Sequence, residues 1–231
     1  MIACLLLAGG VASADPGDLL VRAALPGGPD AAAPGVGVTA DGGWGGAHAQ
    51  ALGAFSAEAL LEGRVTVRAG VDLDVGKMRP TAGASYQFLD PFRHAIGLLV
   101  GAAYKPEGLT EAEGELETTI ALSRRFGEGL ASASLTYGQD FDAAHHDGEV
   151  AVAMVEPVAE RVALGGLARG RSGLGSSTDL GAAWDGLAGA VGRVQVDQYT
   201  VTAIGGTEVL GAVGGGTKVG ALVSLAVGAW W

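Results

Sequence analysis

The sequence predicts an all-β fold, an antiparallel up-and-down barrel of about twelve strands that crosses a membrane. Three observations favour it. Apolar residues alternate with small or polar residues in segment after segment, as they do in strands with two different faces. Hydrophobic residues make up 48% of the 231 positions, yet no uninterrupted apolar run approaches the roughly 20 residues of a membrane helix. In the last segment, residues 218–231, one face is apolar over its full length.

The first 34 residues are predicted to lie outside the barrel. An apolar stretch opens the chain, and Ala12-Ser13-Ala14 fits the small-x-small pattern of a signal-peptide cleavage site. The residues that follow are rich in Gly, Pro and Ala and have no clear period. We therefore expect a signal peptide at 1–14, a flexible periplasmic segment at 15–34 and the barrel at 35–231.

The alternation is clearest in residues 64–75. Val65, Val67 and Val71 share one face, Arg68 and Asp72 share the other, and no 3.6-residue period fits. Similar reasoning predicts strands at 36–40, 47–61, 64–75, 78–88, 95–105, 115–126, 130–140, 149–155, 161–171, two within 183–210, and 218–231. The first two are the weakest, and a helix is an alternative for the alanine-rich second segment. Ten strands is therefore the alternative count.

The last segment carries a family resemblance. Val219, Val223, Leu225 and Trp231 lie on its apolar face, opposite mostly small residues. A tilted strand of about 9–11 residues spans a bilayer, and barrel strands are apolar outside and polar or small inside. A final strand of this kind that ends in an aromatic residue resembles the C-terminal strand of bacterial outer-membrane β-barrel proteins.

The resemblance covers about residues 35–231 and implies a Gram-negative outer-membrane location. It also implies contact with outer-membrane lipid and lipopolysaccharide, and recognition by the barrel-assembly machinery through the strand that ends at Trp231. Such barrels alternate long external loops with short periplasmic turns. The expected external loops are 106–114, 141–148, 172–182 and 210–217, with a tight one at 76–77. The expected inner turns are 62–63, 89–93, 127–129, 156–160 and 196–198.

Charged residues on the strands are expected to face the lumen, because an Arg or Lys facing lipid at midplane costs about 2–4 kcal/mol. Glu115 and Asp185 are expected there too. The predicted lumen-lining residues are Arg64, Arg68, Asp72, Asp74, Arg79, Lys105, Glu117, Arg125, Arg161, Arg169, Arg171, Arg193 and Lys218. Because both signs are present, the sequence predicts a narrow passive, porin-like channel or a structural envelope protein whose charges pair across the lumen.

Two other functions stay open at this stage. His145 and His146, with Asp140, Asp142 and Asp147 nearby, could bind zinc or act as an acid–base pair in a surface-loop hydrolase. We favour a non-enzymatic protein without cofactor or metal, because a loop does not preorganise such a centre and no G-x-S-x-G motif occurs. The second alternative is a secreted soluble β-sandwich, in which the apolar faces would form a core.

The net charge of the chain and its acidic segments limit the partners that the sequence predicts. The net charge of −11 argues against nucleic-acid binding, which depends on cationic surfaces. Carboxylates in and beside the predicted loop 106–114 could hold a divalent cation near lipopolysaccharide phosphates. We favour a solvated acidic loop, because the spacing matches no known ligand loop.

Overall fold

Twelve antiparallel strands form the part of the chain that the structure, a computed structural model, describes. The described residues are 35–47, 50–61, 64–74, 77–91, 93–106, 114–141, 146–174, 184–211 and 216–231. The predicted signal peptide and lead-in, 1–34, lie outside them. The strands are β1 (Gly35–Gly45), β2 (Gln50–Leu61), β3 (Val65–Asp74), β4 (Lys77–Leu89), β5 (Gly97–Pro106), β6 (Gly114–Phe126), β7 (Gly129–Asp140), β8 (His146–Ala159), β9 (Val162–Gly173), β10 (Trp184–Val196), β11 (Tyr199–Gly211) and β12 (Lys218–Trp230).

The strands close into a ring. Each pairs with its neighbours along the chain, and β1 pairs with β12. Val36 and Trp231 extend that last pairing with backbone hydrogen bonds of 2.9 Å in both directions. The predicted twelve-stranded barrel is therefore confirmed, and both the ten-strand count and the two-sheet sandwich are wrong. Among the described residues, no helix has the length and apolar character to span a bilayer.

Alternation along the strands separates an outer and an inner face. Val223 and Leu225 are 61% and 52% exposed, whereas Leu222 and Ser224 between them are 1% and 3% exposed. A single closed sheet has only an outside and an inside, so the exposed apolar side chains form the outer surface. This is the arrangement that lipid-facing barrel strands require.

The two ends of the barrel differ in their connections. At the end where β1 begins and β12 ends, β6–β7, β8–β9 and β10–β11 are joined by the two-residue turns 127–128, 160–161 and 197–198. We call this the turn end, and the opposite end, with longer connections such as 107–113 and 174–183, the loop end. The connection 90–96 at the turn end and the connection 75–76 at the loop end are exceptions. The other connections match the short periplasmic turns and long external loops of outer-membrane barrels.

Several strands are longer than predicted. The segments expected at 149–155 and 161–171 extend to His146–Ala159 and Val162–Gly173. The expected inner turn at 156–160 ended the first of these segments too early. Instead the pairing shifts register between Pro157 and Ala159, and a bulge of this kind accommodates a residue that cannot donate to the ladder. The second strand, expected from residue 47, begins at Gln50.

The inner face holds a small apolar core on one side. Leu167, Leu187, Val191, Ile204 and Leu222 pack together there, each at most 5% exposed. They come from β9, β10, β11 and β12, four consecutive strands of the ring. Sequence reasoning placed small residues and paired charges inside the barrel and missed this apolar wall.

Candidate functional site: charges inside the barrel

The inner face carries a band of charged side chains near the loop end. Each belongs to the inward set of its strand, and together they run from β5 to β10. We call them the charge belt: Lys105, Glu115, Glu117, Asp147, Glu149, Arg169, Arg171 and Asp185. Five carboxylates face three cations, so the belt carries an excess of negative charge.

Lys105 and Glu117 form a deeply buried ion pair of the belt. Lys105 Nζ lies 2.8 Å from Glu117 Oε2, and the two side chains are 8% and 1% exposed. The register sets Lys105 opposite Glu115, and Glu117 opposite Ala103. The pair is therefore diagonal, and the small side chain of Ala103 leaves room for a lysine to reach its diagonal neighbour.

Arg169 on β9 joins two strands through their carboxylates. Its Nη2 donates to Asp185 Oδ1 on β10 at 2.6 Å, and its Nε lies 3.6 Å from Glu149 Oε2 on β8. The arginine side chain is 2% exposed. Directly opposite it on β8 stands Ala151, which again leaves space for a diagonal contact.

Arg171, one inward position closer to the loop end, holds Asp147. Its Nη2 and Nε lie 2.6 and 3.1 Å from Asp147 Oδ2. A fork of donors on a carboxylate fixes both position and orientation. The two arginines therefore tie β8, β9 and β10 together on the inside.

Gly138 on β7 has no side chain, so belt residues of β6 and β8 can approach each other across this strand. A Cβ added at Gly138 would overlap Glu115 Oε1 and would lie 2.7 Å from Asp147 Oδ1. The absence of a side chain therefore allows two carboxylates to approach each other across this strand. Glu115 and Asp147 therefore lie close together at the loop end of the lumen, where Arg171 also holds Asp147.

From the belt toward the turn end, the interior is lined by both polar and apolar groups. On β6 and β7, the hydroxyls of Thr119 and Thr136 hydrogen-bond at 2.8 Å, and Ser56 on β2 is buried at 4% exposure. The apolar wall lies on β9 to β12, and the buried Arg193 and Ser224 belong to the same strands. A solute that passes through this interior would meet polar and aliphatic groups.

The predicted lumen residues differ in how deeply they are buried. Lys105, Glu117, Arg169 and Arg193 are buried, and Arg68, Arg79 and Arg171 are half-buried. The side chains of Asp72 and Asp74 lie outside the described set. The exposed members lie at the barrel ends: Arg64, Arg125, Arg161 and Lys218.

Five inward carboxylates were missing from the predicted set: Asp147, Glu149, Glu208, Glu58 and Asp140. The first two follow from parity, because they alternate with the outward residues Val150 and Val152, which are 54% and 48% exposed. The expected loop 141–148 obscured this, since it assigned Asp147 to a loop. Glu208 shares parity with the buried Ile204, but the neighbouring glycines concealed the alternation.

The histidine centre considered from sequence does not assemble among the described residues. His146 belongs to β8 and not to a loop, and its Nδ1 lies 2.9 Å from the hydroxyl of the outward-facing Tyr137. Asp147, the next residue, faces inward to Arg171. His145 lies outside the described residues. Within the described part of the chain, no three His, Cys, Asp or Glu side chains are placed to hold a metal ion.

Comparisons with known proteins show that the fold is a known one. No family model and no curated protein matches the sequence. Among solved structures, a NanC porin has a TM-score of 0.63 at 10% identity, over 82% of this chain and 98% of the porin. An outer membrane channel of Pseudomonas putida F1 has a TM-score of 0.58 at 13% identity, over 95% of this chain and 100% of the channel.

A loop-deletion variant of OmpT, an outer membrane protein of Vibrio cholerae, has a TM-score of 0.51 at 6% identity, over 86% of this chain and 98% of that protein. At such low identities these likenesses establish the fold, which is that of bacterial outer-membrane β-barrels. Together with the apolar outer face, the fold places this chain in the outer membrane. Outer-membrane barrels carry their short turns on the periplasmic side, and on that general rule we assign the turn end to the periplasm.

Proposed function

We propose that the chain is a narrow passive channel for small hydrophilic solutes across the outer membrane. The observation that carries the proposal is the charge belt inside a closed ring of twelve strands. Small barrels of about eight strands are filled by side chains, whereas porins of about 16–18 strands leave an aqueous channel. Twelve strands with paired charges near one mouth fit a passage of limited width.

The belt supports a weak preference for cations. Its three cations are each held by carboxylates, at 2.8 Å for Lys105 and at 2.6 Å for Arg169 and Arg171. The remaining negative charge attracts cations into the mouth, while the fixed cations limit the preference. A lining of both signs is typical of passage without a dedicated binding site, so we infer a passive route without enzymatic activity.

The names of the similar solved structures also support a channel. Two of the three similar structures are described as a porin and a channel. The alternative within this fold is an envelope protein with a sealed interior, in which the same ion pairs only stabilise the barrel. The hydrolase alternative loses its support among the described residues, because His146 and Asp147 lie on opposite faces of β8.

Recording from planar lipid bilayers tests the proposal. The protein is first shown to be folded by heat-modifiable gel mobility, and is then added to a bilayer under a salt gradient. We expect discrete current steps well below those of a sixteen-stranded porin, with a reversal potential that favours cations. A folded preparation that inserts into liposomes but gives no current steps would overturn the channel and leave the sealed envelope protein.

A further inference from the structure

Two charged strand residues face outward, onto the otherwise apolar outer surface of the barrel. Among strand residues whose side chains the structure describes, Asp, Glu, Lys and Arg belong to the inward sets, with two exceptions. Arg124 on β6 alternates with inward Ser123 and Arg125, and Glu156 on β8 alternates with inward Val155. Arg124 and Glu156 are therefore directed outward, and both are exposed.

Both exceptions line one groove on the outer surface. The groove has a volume of about 800 Å³ and extends from β6 to β9. Outward positions with large side chains, such as Leu122 on β6 and Met154 on β8, are 51% exposed and form its sides. Small outward residues, Ala133 on β7 and Gly166 on β9, leave the depression between them.

The groove opens at the periplasmic end of the barrel. Arg124 stands two residues before the end of β6, and Glu156 three residues before the end of β8. Both strands end there in the two-residue turns 127–128 and 160–161. A charge near the interface costs only about 0–1 kcal/mol when it faces lipid, compared with about 2–4 kcal/mol at midplane. The pair therefore lies at headgroup level, with the apolar groove leading from it toward the acyl chains.

The register gives the spacing of the two charges. Arg124 pairs with Ala131 on β7, which in turn pairs with Met154 on β8. Glu156 thus lies two strands away and two residues nearer the periplasm. With strand spacings of about 4.8 Å and a rise of about 3.3 Å per residue, the two Cα atoms are roughly 12 Å apart. Two long side chains at that separation can bracket a headgroup that carries both charges.

We propose that this groove binds a periplasmic-leaflet phospholipid whose headgroup contains a phosphate and a primary ammonium group. One acyl chain lies over Ala133 and Gly166. Arg124 donates its guanidinium fork to the phosphate, a geometry that arginine favours. The carboxylate of Glu156 accepts from the ammonium. A headgroup with phosphate alone would leave Glu156 beside an anion, so the pair selects the zwitterionic lipid over the purely anionic one.

The test measures lipid retained by the folded barrel. The purified protein is mixed with equal amounts of phosphatidylethanolamine and phosphatidylglycerol with identical chains, and bound lipid is counted by native mass spectrometry. We expect at least threefold more phosphatidylethanolamine on the wild type. Arg124→Gln and Gly166→Leu should each reduce its retention at least fivefold. Glu156→Gln should retain lipid but lose the preference between headgroups.

Two matched control variants show whether lipid retention depends on the groove or on the outer surface in general. Arg161→Gln removes an exposed arginine from a turn at the same end, and Ala188→Leu enlarges an exposed alanine of β10 that does not line the groove. Both should retain lipid as the wild type does. At Gly166 an added Cβ would meet only Gly189 O at 3.5 Å, so the leucine should fit without moving the backbone, and Gly166→Ala is a milder second variant.

Two results would overturn the lipid site. One is wild-type retention and headgroup preference in folded Arg124→Gln and Gly166→Leu. The other is a dimer in the mass spectrum that Gly166→Leu abolishes while lipid binding persists, which would make the groove an interface between two copies. Channel conductance should be unchanged in Arg124→Gln, so this test and that of the proposed channel fail separately.

Discussion

The carboxylate of Glu208 on β11 accepts a hydrogen bond of 2.9 Å from the backbone N–H of Ala47, which follows β1. β12 lies between these strands, and its residue opposite Glu208 is Gly220. A Cβ added at Gly220 would overlap Ala47 N and Gly46 C. Gly46 N also donates to Ala221 O at 2.8 Å. The chain after β1 is therefore drawn against the inner wall, where Glu208 is 0% exposed.

Gly220→Ala is expected to displace this segment from the wall. Its new methyl group would meet backbone atoms, which cannot move aside as a flexible side chain can, and overpacking typically costs about 1–3 kcal/mol. We predict a lower free energy of unfolding and larger or noisier current steps, because residues 46 and 47 lie inside the loop-end mouth. Gly205→Ala is the control, since nothing lies within 4 Å of an added Cβ there.

Glu208→Ala should also give larger or noisier current steps, although it leaves Gly220 unchanged. It leaves the buried N–H of Ala47 without its acceptor, at a cost of about 1–3 kcal/mol. Glu208→Gln retains an acceptor and should lie between the alanine variant and the wild type. Single-channel current noise measures the order of the three, and equal noise in all of them would contradict a role for this contact in the mouth.

Arg169→Met should be the most destabilising single change in the charge belt. The arginine is 2% exposed and contacts Glu149 and Asp185. Removing one partner of a buried ion pair typically costs about 3–5 kcal/mol, because the remaining charge loses its compensation. Urea unfolding in lipid vesicles measures the stability, and the reversal potential should shift further toward cations. Arg161→Gln, which removes an exposed cation, should change neither quantity appreciably.

The coupling between Lys105 and Glu117 can be measured by a double-mutant cycle. Lys105→Met and Glu117→Gln each leave one member of a 2.8 Å buried pair without its partner. Contacting residues in one network show interaction energies of about 0.5–3 kcal/mol. We expect the double variant to be more stable than the sum of the two single losses implies. Strict additivity would mean that the pair contributes nothing through its direct contact.

The outer face is tested by placing an arginine at two depths on β12. Val223→Arg, near the middle of the strand, should lower the free energy of unfolding in a bilayer by about 2–4 kcal/mol. Val219→Arg, near the loop end, should cost about 0–1 kcal/mol. Val223 and Val219 are 61% and 66% exposed, so differing burial in the protein cannot explain a difference. Equal losses would contradict a lipid-facing position for this strand.

The inward and outward phase of most strands could be read from sequence, because lipid and lumen impose opposite requirements on alternate residues. Residues 64–75 and 218–231 show this most clearly. The specific ion pairs could not be predicted in this way. Lys105 faces Glu115 in the register but pairs with Glu117, and that choice depends on strand stagger and on the small Ala103 nearby.

Sequence reasoning also expected charged strand residues to face the lumen, and this expectation is stricter than the barrel requires. Arg124 and Glu156 face outward because both lie near the periplasmic interface, where the penalty is small. The apolar wall with Leu187 and Ile204 escaped notice for a related reason. An inward aliphatic residue surrounded by glycines gives no alternating pattern, so only the closed ring reveals which face it occupies.

Adjacent cysteine substitutions at Ser134 and Leu135 on β7 test the central claim, that water reaches the interior and lipid covers the outside. Ser134 belongs to the inward set, and Leu135 is 57% exposed on the outward face. The chain's single cysteine, Cys4, lies in the predicted signal peptide, so either new thiol would be unique in the processed protein. In liposomes, Ser134→Cys should react with a small charged thiosulfonate that then blocks current, and a label on Leu135→Cys should be quenched by brominated acyl chains. Reaction at position 135 with position 134 inert would contradict the account.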